Sequence, residues 1–189
     1  MNYKQNKSTS HPLDFEFKET LSSEEVQSLK KMQQEVFGDT VSETEASEDF
    51  INEPYAHILI KKGEKIVGCL DLHRSVGQYD GKKVFIGGLS IGILEEYRNL
   101  GLGGKLIANA MSHLKENQYD FGFLAAAPGT IPLYEKYGWS VLAVPYTWEN
   151  SKGAIKSDKD GMIIPFKDSA LVDRIQNGKL PVHIGRGYW

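Results

Sequence analysis

The segment Arg98-Asn99-Leu100-Gly101-Leu102-Gly103-Gly104-Lys105 lies between two different periodicities. Before it, Lys83 to Leu94 reads as one long strand, β-branched except where glycines interrupt it. After it, Leu102, Leu106, Ile107, Ala110, Met111 and Leu114 recur at helical spacing towards Asn117. A glycine-rich turn from strand into helix presents unpaired N–H groups and the positive end of the helix dipole, a ready site for phosphate. Two common phosphate motifs are excluded by spacing. A GxGxxG fingerprint from Gly101 needs glycine where Leu106 stands, and a Walker loop ending at Gly104-Lys105 needs glycine at Asn99 and Ser or Thr at Leu106. The glycines alone fit equally a turn that only needs positive φ and a helix start.

Upstream, Leu13 to Lys18 alternates as a first strand. Ser22 and Glu25 form a capping box, stapled by Leu21 and Val26, for a helix that Gly38 stops. A shorter helix is expected over Ser47 to Asn52, ahead of Pro54. Ala56 to Lys61 and Lys65 to His73 read as a hairpin, and Asp80-Gly81 signals a second turn. Downstream come a strand over Asp120 to Ala127, a short helix over Thr130 to Tyr137, and strands near Trp139 to Trp148 and Met162 to Phe166. Ser151 to Asp160 reads as a charged loop and Asp168 to Asn177 as a last helix. This order predicts a mixed α/β fold: a twisted, mostly antiparallel sheet of six to seven strands flanked by helices. Residues 1–12 are expected to be a flexible tail and 13–189 a single domain.

The composition is that of an ordinary globular protein: 189 residues, 40% hydrophobic, with a net charge of −3 that argues against a broad nucleic-acid or acidic-membrane binder. The polar start offers no signal peptide and no run is long enough to span a bilayer, so a cytoplasmic protein is expected, a monomer or homodimer. The single Cys69 cannot form an internal disulfide or a CxxC site, and His11, His57, His113 and His183 show no metal-ligand spacing, so no metal is expected. Glycine, at 19 residues, is in excess, and six of these fall between Gly87 and Gly104.

The spacing Arg98-x-x-Gly101-x-Gly103 resembles the R/Q-x-x-G-x-G/A signature of the GNAT superfamily of acyl-CoA-dependent N-acyltransferases, with Ile91 and Ile93 in the preceding hydrophobic positions. Glu95, just before that signature, is a departure where many members carry proline, and Leu133-Tyr134-Glu135-Lys136-Tyr137-Gly138-Trp139 resembles the family's second landmark. The resemblance covers Ile51 to Trp148 and implies a sheet splayed at the cofactor site. It implies that acetyl-CoA lays its pyrophosphate on the N–H groups of Arg98, Asn99, Leu100, Gly101, Leu102, Gly103 and Gly104. The pantetheine arm would then bond to Ile91, Gly92 and Ile93 like an added strand. Gly88 and Gly92, which weaken the strand intrinsically, suit either that close approach or a plain bulge.

Acyl transfer from a thioester needs a neutral amine, a donor for the oxyanion and a proton for the departing thiolate. By resemblance Tyr134 supplies the proton, and a backbone N–H near Ile93 supplies the donor; a core-packed aromatic is the other reading of Tyr134. Candidate bases are Asp71, His73, Glu95 and Glu96. The implied reaction is acetylation of a primary amine on a small molecule; a CoA-binding sensor without turnover and an enzyme acting on a protein amine remain alternatives.

The tail, Asp158-Lys159-Asp160-Gly161-Met162-Ile163-Ile164-Pro165, Leu171-Val172-Asp173-Arg174 and Gly187-Tyr188-Trp189, resembles the aminoglycoside 2'-N-acetyltransferase branch. That resemblance implies that the terminal carboxylate of Trp189 folds back into the acceptor site, to bind an amine or act as a base. Without it, residues 185–189 would read as a frayed end. Leu89 and Gly187 stand where the branch has acidic residues, and a polycationic aminoglycoside needs carboxylates. Asp158, Asp160 and Asp173 are the acidic candidates that remain.

Overall fold

A computed structural model describes residues 12–38 and 48–189. Strand β1 (Leu13–Lys18) leads into helix α1 (Ser23–Phe37) through the expected capping box. Glu25 N–H donates to Ser22 Oγ at 3.2 Å, and Ser22 N–H donates to Glu25 Oε2 at 2.9 Å. Gly38 ends the helix, donating its N–H to the Gln34 carbonyl. Leu29 and Met32 form the buried face of α1. Lys18 and Lys61 both reach Glu16 and Glu25, so one charged network joins β1, α1 and the next strand.

Three antiparallel strands follow: β2 (Ala56–Lys62), β3 (Lys65–Tyr79) and β4 (Lys82–Ile93). The β3–β4 turn is Asp80-Gly81, both at positive φ, the geometry that a two-residue hairpin requires. A 3-10 turn over Glu95–Tyr97 then leads to helix α2 (Leu102–Glu116), whose predicted apolar stripe is buried. Strand β5 (Phe121–Ala125), helix α3 (Ile131–Glu135), and strands β6 (Ser140–Val141), β7 (Tyr146–Glu149), β8 (Ile155–Asp158) and β9 (Gly161–Pro165) follow. Helix α4 (Ser169–Gln176), capped by Asp168, and strand β10 (Val182–Arg186) complete the order.

The sheet runs β6-β9-β5-β4-β3-β10-β7-β8, with β1 and β2 added on β3. Only the β4–β5 and β10–β7 pairs are parallel among the described residues. The mixed α/β architecture is as expected, but the sheet has ten strands instead of six to seven. The extra strands are β8 from a segment read as a loop, β10 from a stretch given no element, and the division of Trp139 to Trp148 into β6 and β7. The supposed loop 151–160 contains β8, whose residues are all exposed, because it is an edge strand needing only a backbone partner in β7. The first two residues of the supposed frayed end, Gly185 and Arg186, finish β10, drawn between β7 and the far end of β3. β3 serves two partners on one edge: β2 along Lys65–Leu72 and β10 at Gln78.

The helix expected over Ser47 to Asn52 begins outside the described residues, and from Phe50 onward the chain is not helical. Residues 1–11 of the expected tail also lie outside them. Among the described residues, no helix is long and apolar enough to cross a membrane.

Candidate active site

Pairing between β4 and β5 runs Ile86↔Phe121, Gly87↔Gly122, Gly88↔Phe123 and stops, although β4 continues to Ile93 and β5 to Ala125. Each strand is held elsewhere. β3 keeps β4 in register to Gly68↔Ile93, and β9 keeps β5 to Ala125↔Gly161. The sheet therefore splays at Gly88, and the β4 backbone from Leu89 to Ile93 lies along the opening. Ile91, Gly92 and Ile93 are on this stretch. An extended ligand arm with amide groups can pair with such an edge as an added strand does.

The opening leads to the glycine turn. Asn99 and Gly101 take φ of 62° and 73°, and Gly101 is the N-cap of α2 with no side-chain cap bond, so the helix's first N–H groups are presented uncapped. Arg98 is committed to the turn itself, its Nε donating to the Ile93 carbonyl at 3.0 Å. Lys105 points elsewhere, its Nζ lying 5.9 Å from the Phe15 ring centre. Backbone N–H groups and the helix dipole favour an anion at this turn, with the Arg98 guanidinium beside it. The two sequence landmarks meet here. A Cβ on Gly103 would press on Leu133 at 3.3 Å, and one on Gly104 would collide with the Tyr137 hydroxyl.

Alternation along β4 sorts the site into two faces. Gly87 abuts Leu114, and Ile91 and Ile93 approach Gly103, so the odd-numbered residues face α2. Gly88 abuts Trp189, Ser90 meets His73, and Gly92 approaches Val36 and Phe37, so the even-numbered residues face α1. Tyr134 belongs to the α2 side, buried edge-on to Trp139 with ring centres 6.4 Å apart. Burial pushes its hydroxyl up to about 12, so it is protonated at neutral pH.

Trp189 lies on the α1 side. It is buried, stacked on His73 (5.7 Å, 14°) and edge-on to Phe123. Its indole ring covers Gly88 at the splay point so closely that no side chain fits there. Its Nε1 is buried without a hydrogen-bond partner. Tyr188 N–H donates to the Asp49 carbonyl at 2.6 Å and Gly187 N–H to that of Glu149, fixing the approach of the tail. Trp189 therefore covers the splay from the α1 face, while Tyr134 packs against Trp139 on the α2 side.

The four candidate bases separate. Glu95 and Glu96 are exposed on the 3-10 turn, and Glu96 pairs with Lys65 at 3.3 Å. His73 is opposite Gly88 in the register and buried. Its Nδ1 is 3.0 Å from the Asn52 carbonyl, which fixes the proton there and leaves Nε2 as the acceptor, 3.4 Å from Ser90 Oγ. Burial lowers its pKa to about 4, so the ring is neutral. Asp71 is also buried, but its oxygens already have three neighbours: His57 Nδ1 at 2.7 Å, Cys69 Sγ at 2.8 Å and Gln33 Nε2 at 3.1 Å. Burial, with Asp71 alongside, pushes the Cys69 thiol up and makes it a poor nucleophile. Of the acidic tail candidates, Asp160 accepts from Tyr146 Oη at 2.5 Å, while Asp158 and Asp173 are exposed. Sequence reasoning missed Asn52 and Ser90, because only the folded register brings them to His73.

Residues 19–142 match the family model of the GNAT acetyltransferase domain. No curated protein matches the chain. Among solved structures, Escherichia coli ElaA is similar with a TM-score of 0.58 at 15% identity, over 80% of this chain and 99% of that one. The Escherichia coli GNAT family N-acetyltransferase YhbS, solved with CoA, gives 0.57 at 14% identity, over 93% and 92%. A GNAT family acetyltransferase from Brucella melitensis, solved with acetyl-CoA, gives 0.51 at 13% identity, over 69% and 84%. At these identities the likeness is one of fold.

Proposed function

The chain belongs to the GNAT acetyltransferase family, and on that premise we propose that it moves the acetyl group of acetyl-CoA to a primary amine of a small molecule, by direct attack in a ternary complex. The observation that carries this reading is the splay at Gly88↔Phe123, which opens onto the uncapped start of α2. The pyrophosphate lies on the turn from Arg98 to Gly104, and the pantetheine arm runs beside Ile91, Gly92 and Ile93. The solved neighbours that hold CoA or acetyl-CoA support this cosubstrate.

The amine approaches from the α1 face, where His73 Nε2 accepts its hydrogen bond and turns its lone pair towards the thioester. The nitrogen bonds to the carbonyl carbon and gives up one proton to His73 Nε2, the C–S bond breaks, and Tyr134 gives its proton to the leaving thiolate from the opposite face; exchange with solvent then removes the proton from His73 and returns one to Tyr134. Trp189 walls the acceptor side, and its unpartnered indole N–H is a donor for an oxygen of the ligand. The groups around His73 are aromatic, hydroxyl or glycine, and the nearby Asp71 is already engaged. That surrounding favours an amine with few positive charges over a polycationic aminoglycoside.

Thiol release from acetyl-CoA, followed across a panel of amines that includes aminoglycosides, arylalkylamines and a peptide N-terminus, tests the reading. Turnover is expected with a small monoamine. Tight CoA binding without turnover on any acceptor would replace the enzyme with a CoA sensor, and turnover on the peptide alone would move the acceptor to protein.

A further inference from the structure

His57, Cys69 and Asp71 take no part in the proposed transfer, yet they place an imidazole, a thiol and a carboxylate together under α1. His57 and Asp71 are direct cross-strand partners on β2 and β3, and Cys69 is two residues from Asp71 on the same face. One ligand atom from each lies within 4.8 Å of the other two. Cys69 and Asp71 are buried, and His57 is half-buried. We propose that these three side chains form a binding site for a divalent transition-metal ion of the zinc class, with the Gln33 amide at the fourth position.

The donor set matches the metal. Sulfur, nitrogen and oxygen together suit a borderline-soft cation, and alkaline-earth ions prefer oxygen alone. The charges also match. No lysine or arginine pairs with Asp71 among the described residues, so its carboxylate sits in the interior with neutral or weakly basic neighbours. A dication with one carboxylate and one thiolate leaves the cluster neutral, which the interior favours. Rigid strands hold the three ligands in place, and Gln33 approaches from α1. Its amide oxygen and nitrogen exchange places by a flip, giving the metal an oxygen donor. Binding displaces the Cys69 thiol proton to solvent and replaces the hydrogen bonds now converging on Asp71. An occupied site ties α1 to β2 and β3 on the same face as His73, where Cys69 is the cross-strand partner of Gly92.

The test uses the full chain, stripped with a chelator and titrated with cobalt(II) alone. One equivalent is expected to bind with a near-ultraviolet thiolate-to-cobalt charge-transfer band, which one equivalent of zinc(II) then bleaches. Because Cys69 is the single cysteine, the band reports this site and no other. Cys69→Ser should abolish the band, and His57→Ala and Asp71→Asn should each weaken binding by about a hundredfold or more. CoA affinity, measured by calorimetry on each variant, shows that the fold is kept. Absence of the band at saturating cobalt in the unaltered protein, or equal affinity in the protein and Cys69→Ser, overturns the site, and neither result depends on acetyl transfer.

Discussion

Tyr134 and His73 stand on opposite faces of the sheet, and their surroundings suit opposite tasks. Burial holds the Tyr134 hydroxyl protonated, while the Asn52 carbonyl takes the His73 Nδ1 proton and leaves Nε2 as an acceptor. Tyr134→Phe should lower kcat at least about tenfold, within the usual span for losing a general acid, with CoA affinity nearly unchanged. Steady-state rates and calorimetry check both halves, and a variant of full activity at every pH would remove Tyr134 from the chemistry. The sequence offered both residues as candidates, but only Tyr134 through a motif. Tyr134 sits in a motif readable from its neighbours, whereas His73 gains its orientation from Asn52, Ser90 and Trp189, which lie 21, 17 and 116 positions away in the chain. The His57–Cys69–Asp71 group was invisible for the same reason: ligand spacing along one segment is legible, but spacing across two paired strands appears only with the register.

Among the elements, α1 was legible almost to the residue, because its signals are local: Ser22 and Glu25 at the start, Gly38 at the end. The same box gives α1 two separable kinds of stability. Ser22→Ala should cost about 1 kcal/mol, the usual cost of a lost N-cap. Glu25 adds a pH-dependent share. Hydrogen bonding from Lys61 first, then from the Ser22 backbone and Lys18, lowers its pKa from 4.5 to about 2. A folded-state pKa below the unfolded one stabilises above the unfolded value, and that contribution is lost as pH falls from 4.5 towards about 2. Urea midpoints at neutral pH and at about pH 3 should therefore differ less in Lys61→Met than in the unaltered protein, while Ser22→Ala lowers both. The edge strand β8 was hidden because its partner is backbone alone and its side chains all face water. Periodicity reports burial, and an element that buries nothing leaves no pattern.

Across the whole molecule, the tail connects regions that sequence reading kept apart. β10 lies between β7 and the end of β3, Tyr188 bonds to Asp49, and Trp189 covers Gly88 against His73 and Phe123. Trp189→Ala should cost about 3–5 kcal/mol, as buried tryptophan truncations do, and raise acceptor KM with little change in CoA affinity. Gly88→Ala overpacks the same contact, so adding it to Trp189→Ala should cost less than the two separate losses combined. Denaturant titration of the two single variants and the double one measures that coupling, and strict additivity would show that the two do not press on each other. The glycine turn and α2 were legible because they are contiguous in sequence. The surroundings of His73 draw on Asn52, β3, β4 and Trp189, and no single segment encodes them.

The position of β10 also orders events in time. The β2–β3–β4 meander closes through short turns, but Ser75 meets the carbonyl of Ile184 across 109 residues. Contacts of such long separation form late and slow a fold down. The glycine turn, built from neighbouring residues, can therefore be in place while the wall over Gly88 has not yet been made. Until then the splay stays open on the face that Trp189 covers in the finished fold.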